Sequence, residues 1–386
     1  MKQGFGCWLA ALSIAFGSPV AAQPVAGQQA EKTYRVGILC GGCTDQEAPS
    51  RHAPIRQALR ERGYVEGRNI TFVYRSAEGR YEKLPDLAAD LVRAKVDVIM
   101  AGGGLPGALA AKNATTKIPI IFVGIGEDPV QHGLVSSFSR PGGNVTGLVD
   151  RYADLIPKQL ALLKEAMPSV SRVGVLWDAR LRQALEPSFQ AMQTALPSLG
   201  LQHYAIAVNA PDDLPDAFRA ASSARIEALI LFPSPKFYVH LAEFARMTAE
   251  QKIPAISGFT DFARAGGFLS YGPNVTKTWR YAAIAVDKIL KGTSPADIPV
   301  EQSDNIDLVV NLQTARRWGW SCRKHCWCRR TRSSIKGRDG RLTKRCASSV
   351  VSMSASGTFE TSSDVRSSVA MRGKSDISRM SHFGSD

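Results

Sequence analysis

The amino-acid sequence predicts an α/β fold of two Rossmann-like lobes with parallel sheets, hinged where the chain crosses between them. Three observations carry the prediction. Short apolar runs bounded by Gly, Pro and Asp alternate with helical stretches through residues 34–316. The alternation runs twice, on either side of a Gly- and Pro-rich junction at 118–147. At 386 residues the chain can bury two substantial cores and is too long for one ordinary domain.

In the first half, 34–39 (YRVGIL) reads as a strand that ends in Cys40-Gly41-Gly42-Cys43. Residues 55–62 continue a helix closed by Gly63, and 69–74 (NITFVY) form a second strand. Leu84, Leu87, Ala88, Leu91 and Val92 recur at helical spacing, so 81–94 packs one face on a sheet. A third strand at 96–100 stops at Ala101-Gly102-Gly103-Gly104, and a short helix spans 105–112. The junction begins with the apolar run 118–123, a strand buried on both faces. It turns at 124–129 and passes Arg140-Pro141-Gly142-Gly143 into 144–148. Ligands of open α/β sheets bind beyond the carboxyl ends of strands, where Gly124 to Asp128 would lie.

The second half repeats the plan. Helices are expected at 156–166, 187–199, 213–221, 239–252 and 276–291, and strands at 172–177, 203–208, 228–232 and 253–257. Asp212, Asp213 and Asp216 suit the dipole at the start of the 213–221 helix. Pro233-Ser234-Pro235 and Gly258-Phe259-Thr260-Asp261 read as turns. A short strand at 266–272, a last strand at 307–310 and a helix from 311 to 316 complete the body.

Both termini differ from this body. Lys2, the apolar run 7–16 and Val20-Ala21-Ala22 before Gln23 read as an export signal over 1–22, followed by a polar linker at 23–33. Cys7 opens the apolar run and is not placed for lipid attachment. A periplasmic protein is therefore expected. The net charge of +14 belongs to the other end: residues 316–386 hold 16 Lys and Arg against 5 Asp and Glu. Trp318, Trp320, Trp327 and Cys322, Cys326, Cys328, Cys346 crowd there, and beyond 337 the Ser- and Arg-rich composition shows no helical or strand period. Back-translation of 317–336 allows a frame two nucleotides onward that spells LGVELPEALLVPPDEVIDQ, a fitting continuation of the 311–316 helix. The gene's nucleotides at codon 316 test this shifted frame. The rival readings are a zinc knot (Cys322, His325, Cys326, Cys328), whose ligands are crowded for a tetrahedral site, and a nucleic-acid arm, which export disfavours.

The body's motifs each admit a bland reading. Cys40-x-x-Cys43 resembles a redox motif, but an oxidising compartment favours a structural disulfide. Gly102-Gly103-Gly104 is either a tight turn or a close backbone approach to a ligand carboxylate. It lacks nucleotide-binding spacing. Glu127-Asp128 caps a turn or meets a ligand amine in preference to acid–base work. Trp177, Phe259 and Tyr271 sit at strand ends, either packing cores or stacking on a planar ligand. No His pair and no Gly-x-Ser-x-Gly elbow appears, so an enzyme is not expected.

The runs 63–69 (GYVEGRN), 80–85 (RYEKLP), 127–130 (EDPV), 140–147 (RPGGNVTG), 266–273 (GGFLSYGP) and 307–312 (DLVVNL) carry a family resemblance. In combination they resemble ABC transporter substrate-binding proteins of the tryptophan/tyrosine-binding type, which have the type I periplasmic-binding-protein fold. The likeness spans about 34–316. Family members end in a helix like the shifted-frame peptide, whereas the Cys-Gly-Gly-Cys turn departs from the family pattern. Alternation and resemblance together give lobes at 34–148 and 149–272, with a crossover helix and strand at 273–316 completing them, while composition alone reads 317–386 as a disordered basic tail. The resemblance implies capture of a small-molecule ligand, often an aromatic or branched amino acid, by hinge closure. Delivery would go to an ABC permease in the inner membrane, with no cofactor, metal or nucleic acid, by a monomer. The contacts it implies are Gly41, Gly42, Cys43, Gly103, Gly104, Leu105, Glu127 and Asp128 from the first lobe. Opposite them come Trp177, Asp178, Ser234, Phe259, Thr260 and Tyr271. The alternative is an exported ligand-sensing domain coupled to a receptor.

Overall fold

The computed structural model describes residues 32–209, 211–304, 306–318, 350–354 and 359–361. The export segment, most of the linker and the Cys322, His325, Cys326 and Cys328 group lie outside them.

Two sheets organise the chain. The first half supplies β1 (Tyr34–Cys40), α1 (Ala48–Arg51), α2 (Ala53–Arg60), β2 (Ile70–Ser76) and α3 (Leu84–Arg93). It continues with β3 (Val98–Ala101), α4 (Gly104–Ala114), β4 (Ile120–Ile125) and β5 (Val145–Val149). The second half supplies α5 (Tyr152–Ala166), β6 (Arg172–Asp178), α6 (Glu186–Ala195), β7 (Gln202–Val208), α7 (Leu214–Ser223) and β8 (Ala228–Leu231). Next come α8 (Pro235–Val239), α9 (Leu241–Glu250), β9 (Ala255–Ser257), α10 (Thr260–Arg264) and β10 (Leu269–Pro273). The chain then runs through α11 (Val275–Leu290), β11 (Glu301–Gln302), β12 (Ile306–Asn311) and α12 (Leu312–Arg317), and two strands follow, β13 (Val350–Ser354) and β14 (Phe359–Thr361).

The first sheet has the order β11-β5-β4-β3-β1-β2, and every pairing is parallel. Its strands are apolar on both sides because helices cover both faces. Phe122, Ile99 and Leu39 pack on one face, and Ile38, Met100 and Val98 on the other. The second sheet has the order β14-β13-β12-β10-β9-β8-β6-β7. Its strands β6 to β10 are parallel to their neighbours among themselves, and two clusters, around Phe232 and Phe218, fill its faces.

The chain passes between the sheets three times: from β5 to α5, from β10 to α11, and from β11 to β12. The last crossing explains a departure from the all-parallel expectation. β11 runs parallel in the first sheet, so it ends at the edge where the other strands end. The short step to β12 delivers the chain to the matching edge of the second sheet. β12 must therefore run backwards, and it pairs antiparallel to β10.

Several short elements were invisible in the sequence pattern. Pro233-Ser234-Pro235 is a helix start and not only a turn: the Ser234 hydroxyl accepts the Phe237 N–H at 3.1 Å, and Pro235 occupies the first helical position. The turn expected after Gly258 winds into α10, whose Ala263 N–H donates to the Ser270 hydroxyl. Beyond 337, where composition shows no strand period, β13 pairs antiparallel to β12. Trp318 sets its ring edge-on to Phe268, with centroids 5.3 Å apart.

Gly147 makes the β4–β5 pairing possible. A Cβ there would lie 2.2 Å from the Phe122 carbonyl oxygen and 2.5 Å from its ring, so neither backbone nor core can give way cheaply. Gly143, four residues earlier, has open space around its Cβ position. Urea unfolding should show Gly147→Ala losing roughly 2–4 kcal/mol, with Gly143→Ala within about 0.5 kcal/mol of the parent. Equal effects at the two positions would refute this account of the junction.

Candidate functional site

The carboxyl ends of both sets of parallel strands face one cavity. The loops after β1, β3, β4 and β5 line it from the first lobe, and those after β6, β8 and β9 from the second. Helix α11 adds Thr278 and Trp279.

Its walls are largely aromatic and aliphatic. Phe259 meets Tyr152 and Tyr238 edge-on, with ring centroids 5.9 and 5.1 Å apart. Across the cavity lining, the Trp279 ring stands 4.7 Å from that of His52. Gly102 makes room for this indole, since a Cβ there would approach it to 3.1 Å. Leu105, Leu181 and Leu185 complete the apolar surface. A tight set of rings with few polar groups is the ordinary make-up of a small-ligand site.

The polar groups are placed unevenly. Asp150, just past β5, is 5% exposed. Its Oδ2 accepts the Tyr152 hydroxyl at 3.1 Å, and the Ser303 hydroxyl also helps to hold the carboxylate; no cationic side chain pairs with it among the described residues. Gly124, at φ +67°, leaves the space that this carboxylate fills; a Cβ there would sit 2.7 Å from Oδ2. Burial pushes the Asp150 carboxyl up to about 7. Glu127 accepts the Gly126 N–H at 2.9 Å, and burial pushes it up to about 7 as well. Burial lowers the His52 pKa, so the ring is neutral near pH 7, with Nδ1–H donating to the Ala48 carbonyl at 2.6 Å. Arg51 stretches from α1 toward the second lobe, donating from Nη2 to the Val239 carbonyl at 3.5 Å, and its buried Nε has no partner. Among the described residues no cluster of His, Cys, Asp and Glu could hold a metal ion.

The lobes touch around this cavity. A Cβ on Gly42 would fall 2.0 Å from the Pro235 carbonyl oxygen, and one on Gly104 would fall 3.3 Å from the Pro235 ring. The Tyr81 hydroxyl donates to Asp178 Oδ2 at 3.3 Å while the Arg180 guanidinium lies 4.7 Å over the Tyr81 ring. Arg180 also pairs with Asp178.

Of the residues expected at the site, Gly42, Cys43, Gly104, Leu105, Glu127, Ser234 and Phe259 line the cavity. Gly41 and Gly103 stand behind that surface against each other, a Cβ on Gly41 lying 2.8 Å from Gly103 Cα. Asp128 is exposed and caps its own turn by accepting the Val130 N–H at 2.8 Å. Trp177 packs edge-on against Phe189 in the second core, and Asp178 is held by Tyr81 and Arg180. Thr260 is fully buried, its hydroxyl accepting from Arg264. Tyr271 packs on the second core and its carbonyl accepts from Gln159. Sequence reasoning missed Arg51, His52, Asp150, Tyr152, Tyr238 and Trp279. Asp150 was within reach, since the rule that places Glu127 after β4 places Asp150 after β5.

A family model described as ABC transporter substrate binding protein matches residues 48–324. A tyrosine-binding protein of Clostridioides difficile is 28% identical over 263 residues, 67% of this chain and 74% of that protein. Among solved structures, a conserved domain protein from Vibrio cholerae aligns with a TM-score of 0.66 at 24% identity, over 75% of this chain and 96% of that one. An ABC domain from Streptococcus pneumonia in complex with L-Trp aligns at 0.65 and 22%, over 75% and 95%. These structures share the fold of two sheets flanked by helices.

The buried acids tie stability to pH. Asp150 starts near 3.8 in the unfolded chain and reaches about 7 when folded, so the native state holds the proton more tightly. Its stabilising contribution is complete below about pH 4 and is lost as pH rises toward about 7, at up to roughly 1.4 kcal/mol per pH unit. Glu127 acts in the same direction. Thermal unfolding of the ligand-free protein between pH 5 and 8 should fall with pH, and Asp150→Asn should flatten the slope. A variant as pH-sensitive as the parent would show that Asp150 titrates normally.

Proposed function

The chain belongs to the ABC transporter substrate-binding protein family, and from that footing we propose that it captures a small solute bearing a protonated amine. The solute class is amino acids, held between the lobes by hinge closure outside the cytoplasm and presented to the permease of an ABC importer. The observation that carries this reading is the buried Asp150 carboxylate, held by the Tyr152 and Ser303 hydroxyls with no cationic partner among the described residues, on a cavity walled by Tyr152, Tyr238, Phe259 and Trp279. A buried carboxylate without a counter-charge is costly, and an ammonium group is the partner that offsets the cost most strongly. The rings opposite offer flat apolar surface to a side chain and cation–π attraction to the ammonium. Arg51, which also lines the cavity, supplies the complementary charge for a carboxylate. A relative named for tyrosine binding supports placing aromatic amino acids first among the candidates.

Closure follows from population shift. Lobes that meet through a few polar contacts open readily, and a solute that touches both lobes favours the closed arrangement. Among the described residues no helix is long and apolar enough to cross a membrane.

Calorimetry with L-tyrosine, L-tryptophan, other amino acids and their N-acetyl forms tests the reading. A free amino acid should bind, its N-acetyl form should not, and Asp150→Asn should weaken binding at least about thirtyfold. N-acetyl forms that bind as well as the free amino acids would sink the amine assignment. Failure of every amino acid would sink the solute class.

A further inference from the structure

Solute capture leaves one motif of the cavity wall unused. Cys40 and Cys43, at the end of β1, are joined by a disulfide, and both residues line the cavity. Cys40 is 9% exposed and Cys43 fully buried. Behind them sit Ala48 and Tyr74, and from the second lobe Val239. The Ser76 hydroxyl lies 3.5 Å from Cys43 Sγ, and the Cys43 backbone N–H donates to Cys40 Sγ at 3.1 Å. Both sulfurs therefore have a donor suited to a thiolate, which is what lowers a thiol's pKa and eases its release. The two glycines between them are the part of the first lobe pressed against Gly103 and against Pro235 of the second lobe. A disulfide that only bracketed a turn would have no need to face a cavity or to carry a hydroxyl at the leaving sulfur.

We propose that Cys40–Cys43 is a thiol–disulfide exchange site opening into the solute cavity, where a dithiol reductant and the solute occupy the same space. One thiolate of the reductant attacks Sγ of Cys40, the more exposed residue of the pair, and forms a mixed disulfide. The Cys40–Cys43 bond breaks and its electron pair leaves on Cys43 Sγ, which accepts the Ser76 O–H. The reductant's second thiolate then attacks its own sulfur in the mixed disulfide and releases Cys40 as a thiolate that accepts the Cys43 N–H. The products are the cyclic oxidised reductant and, once protonated, two cysteine thiols. Reduction frees the loop that meets Pro235, so the state of this pair is coupled to contact between the lobes.

The test needs no knowledge of the solute. The full-length native protein is treated with dithiothreitol and iodoacetamide without denaturant, and peptide mass mapping follows Cys40 and Cys43 separately from the other cysteines. Both should be alkylated. Ala184→Trp, which fills the cavity from the second lobe, should slow their alkylation at least about tenfold, as occlusion of an exchange site does. Leu105→Trp plugs the cavity from the first lobe, so failure of one variant to fold leaves the other to decide. The proposal is overturned if both cysteines stay unlabelled until denaturant is added, or if the folded plugged variants react at the parent rate. Neither result bears on whether the parent binds an amino acid.

Discussion

Parallel strands all finish at one edge, and that single constraint organises this molecule. In each sheet the loops that follow the strands collect on one side, and the three crossings between the sheets run along that side. The crossing from β11 to β12 is too short to go around either sheet. It forces the two carboxyl edges to face each other and turns β12 antiparallel. The cavity is thus a product of topology before any lining residue is chosen, which is the switch-point rule applied to two sheets at once.

What the lining residues decide is how firmly the lobes stay together. The polar contacts across the cavity include the Tyr81–Asp178 hydrogen bond with Arg180 stacked on the ring and the Arg51 bond to the Val239 carbonyl, beside packing of Gly42 and Gly104 against Pro235 and of Val239 against the Cys40–Cys43 turn. Single hydrogen bonds contribute about 1 kcal/mol net, so such a set holds a closed arrangement by only a few kcal/mol. A small-molecule ligand with a few good contacts on each lobe carries energy of the same size, which is what the proposed hinge closure requires. Gly42 and Gly104 matter because a side chain at either would prop the lobes apart.

The positions of the strands and the two-sheet plan were legible because buried parallel strands leave continuous apolar runs such as 118–123, and Gly or Pro marks their ends. The family motifs added the correct fold. What stayed hidden had no periodic signature. α10 is a single turn and a half, held by the Ser270 hydroxyl some residues downstream, and no local pattern announces such a partner. Half of the expected contact residues line the cavity, since the strand-end rule identifies the loop and not the side chain's direction. Asp128 and Glu127 are adjacent, yet one caps its own turn in solvent and the other turns inward. Trp279 and Arg51 come from helices, which a search confined to strand ends passes over. The Ser234 cap shows the reverse case: Pro-Ser-Pro carried a helix-start signal that reads equally well as a break.

Asp150 shows why a site can be recognised by a group that weakens the empty protein. Burying a carboxylate without a counter-charge raises the free energy of the charged form, which is the cause of its elevated pKa. An uncharged residue of the same shape would stabilise the open, empty cavity at neutral pH. Retaining the acid makes sense only where a partner arrives from outside, because the destabilisation then becomes discrimination. A ligand with an ammonium group relieves it, and a neutral isostere leaves the carboxylate buried and unmatched. Tyr152 sharpens the effect: by donating to Oδ2 it fixes the carboxylate without supplying a counter-charge. The aromatic walls cannot distinguish one flat ring from another by more than a few contacts. On the proposed reading, selectivity for a solute's charged end would rest on this carboxylate, and selectivity for its side chain on the shape left between Phe259 and Trp279.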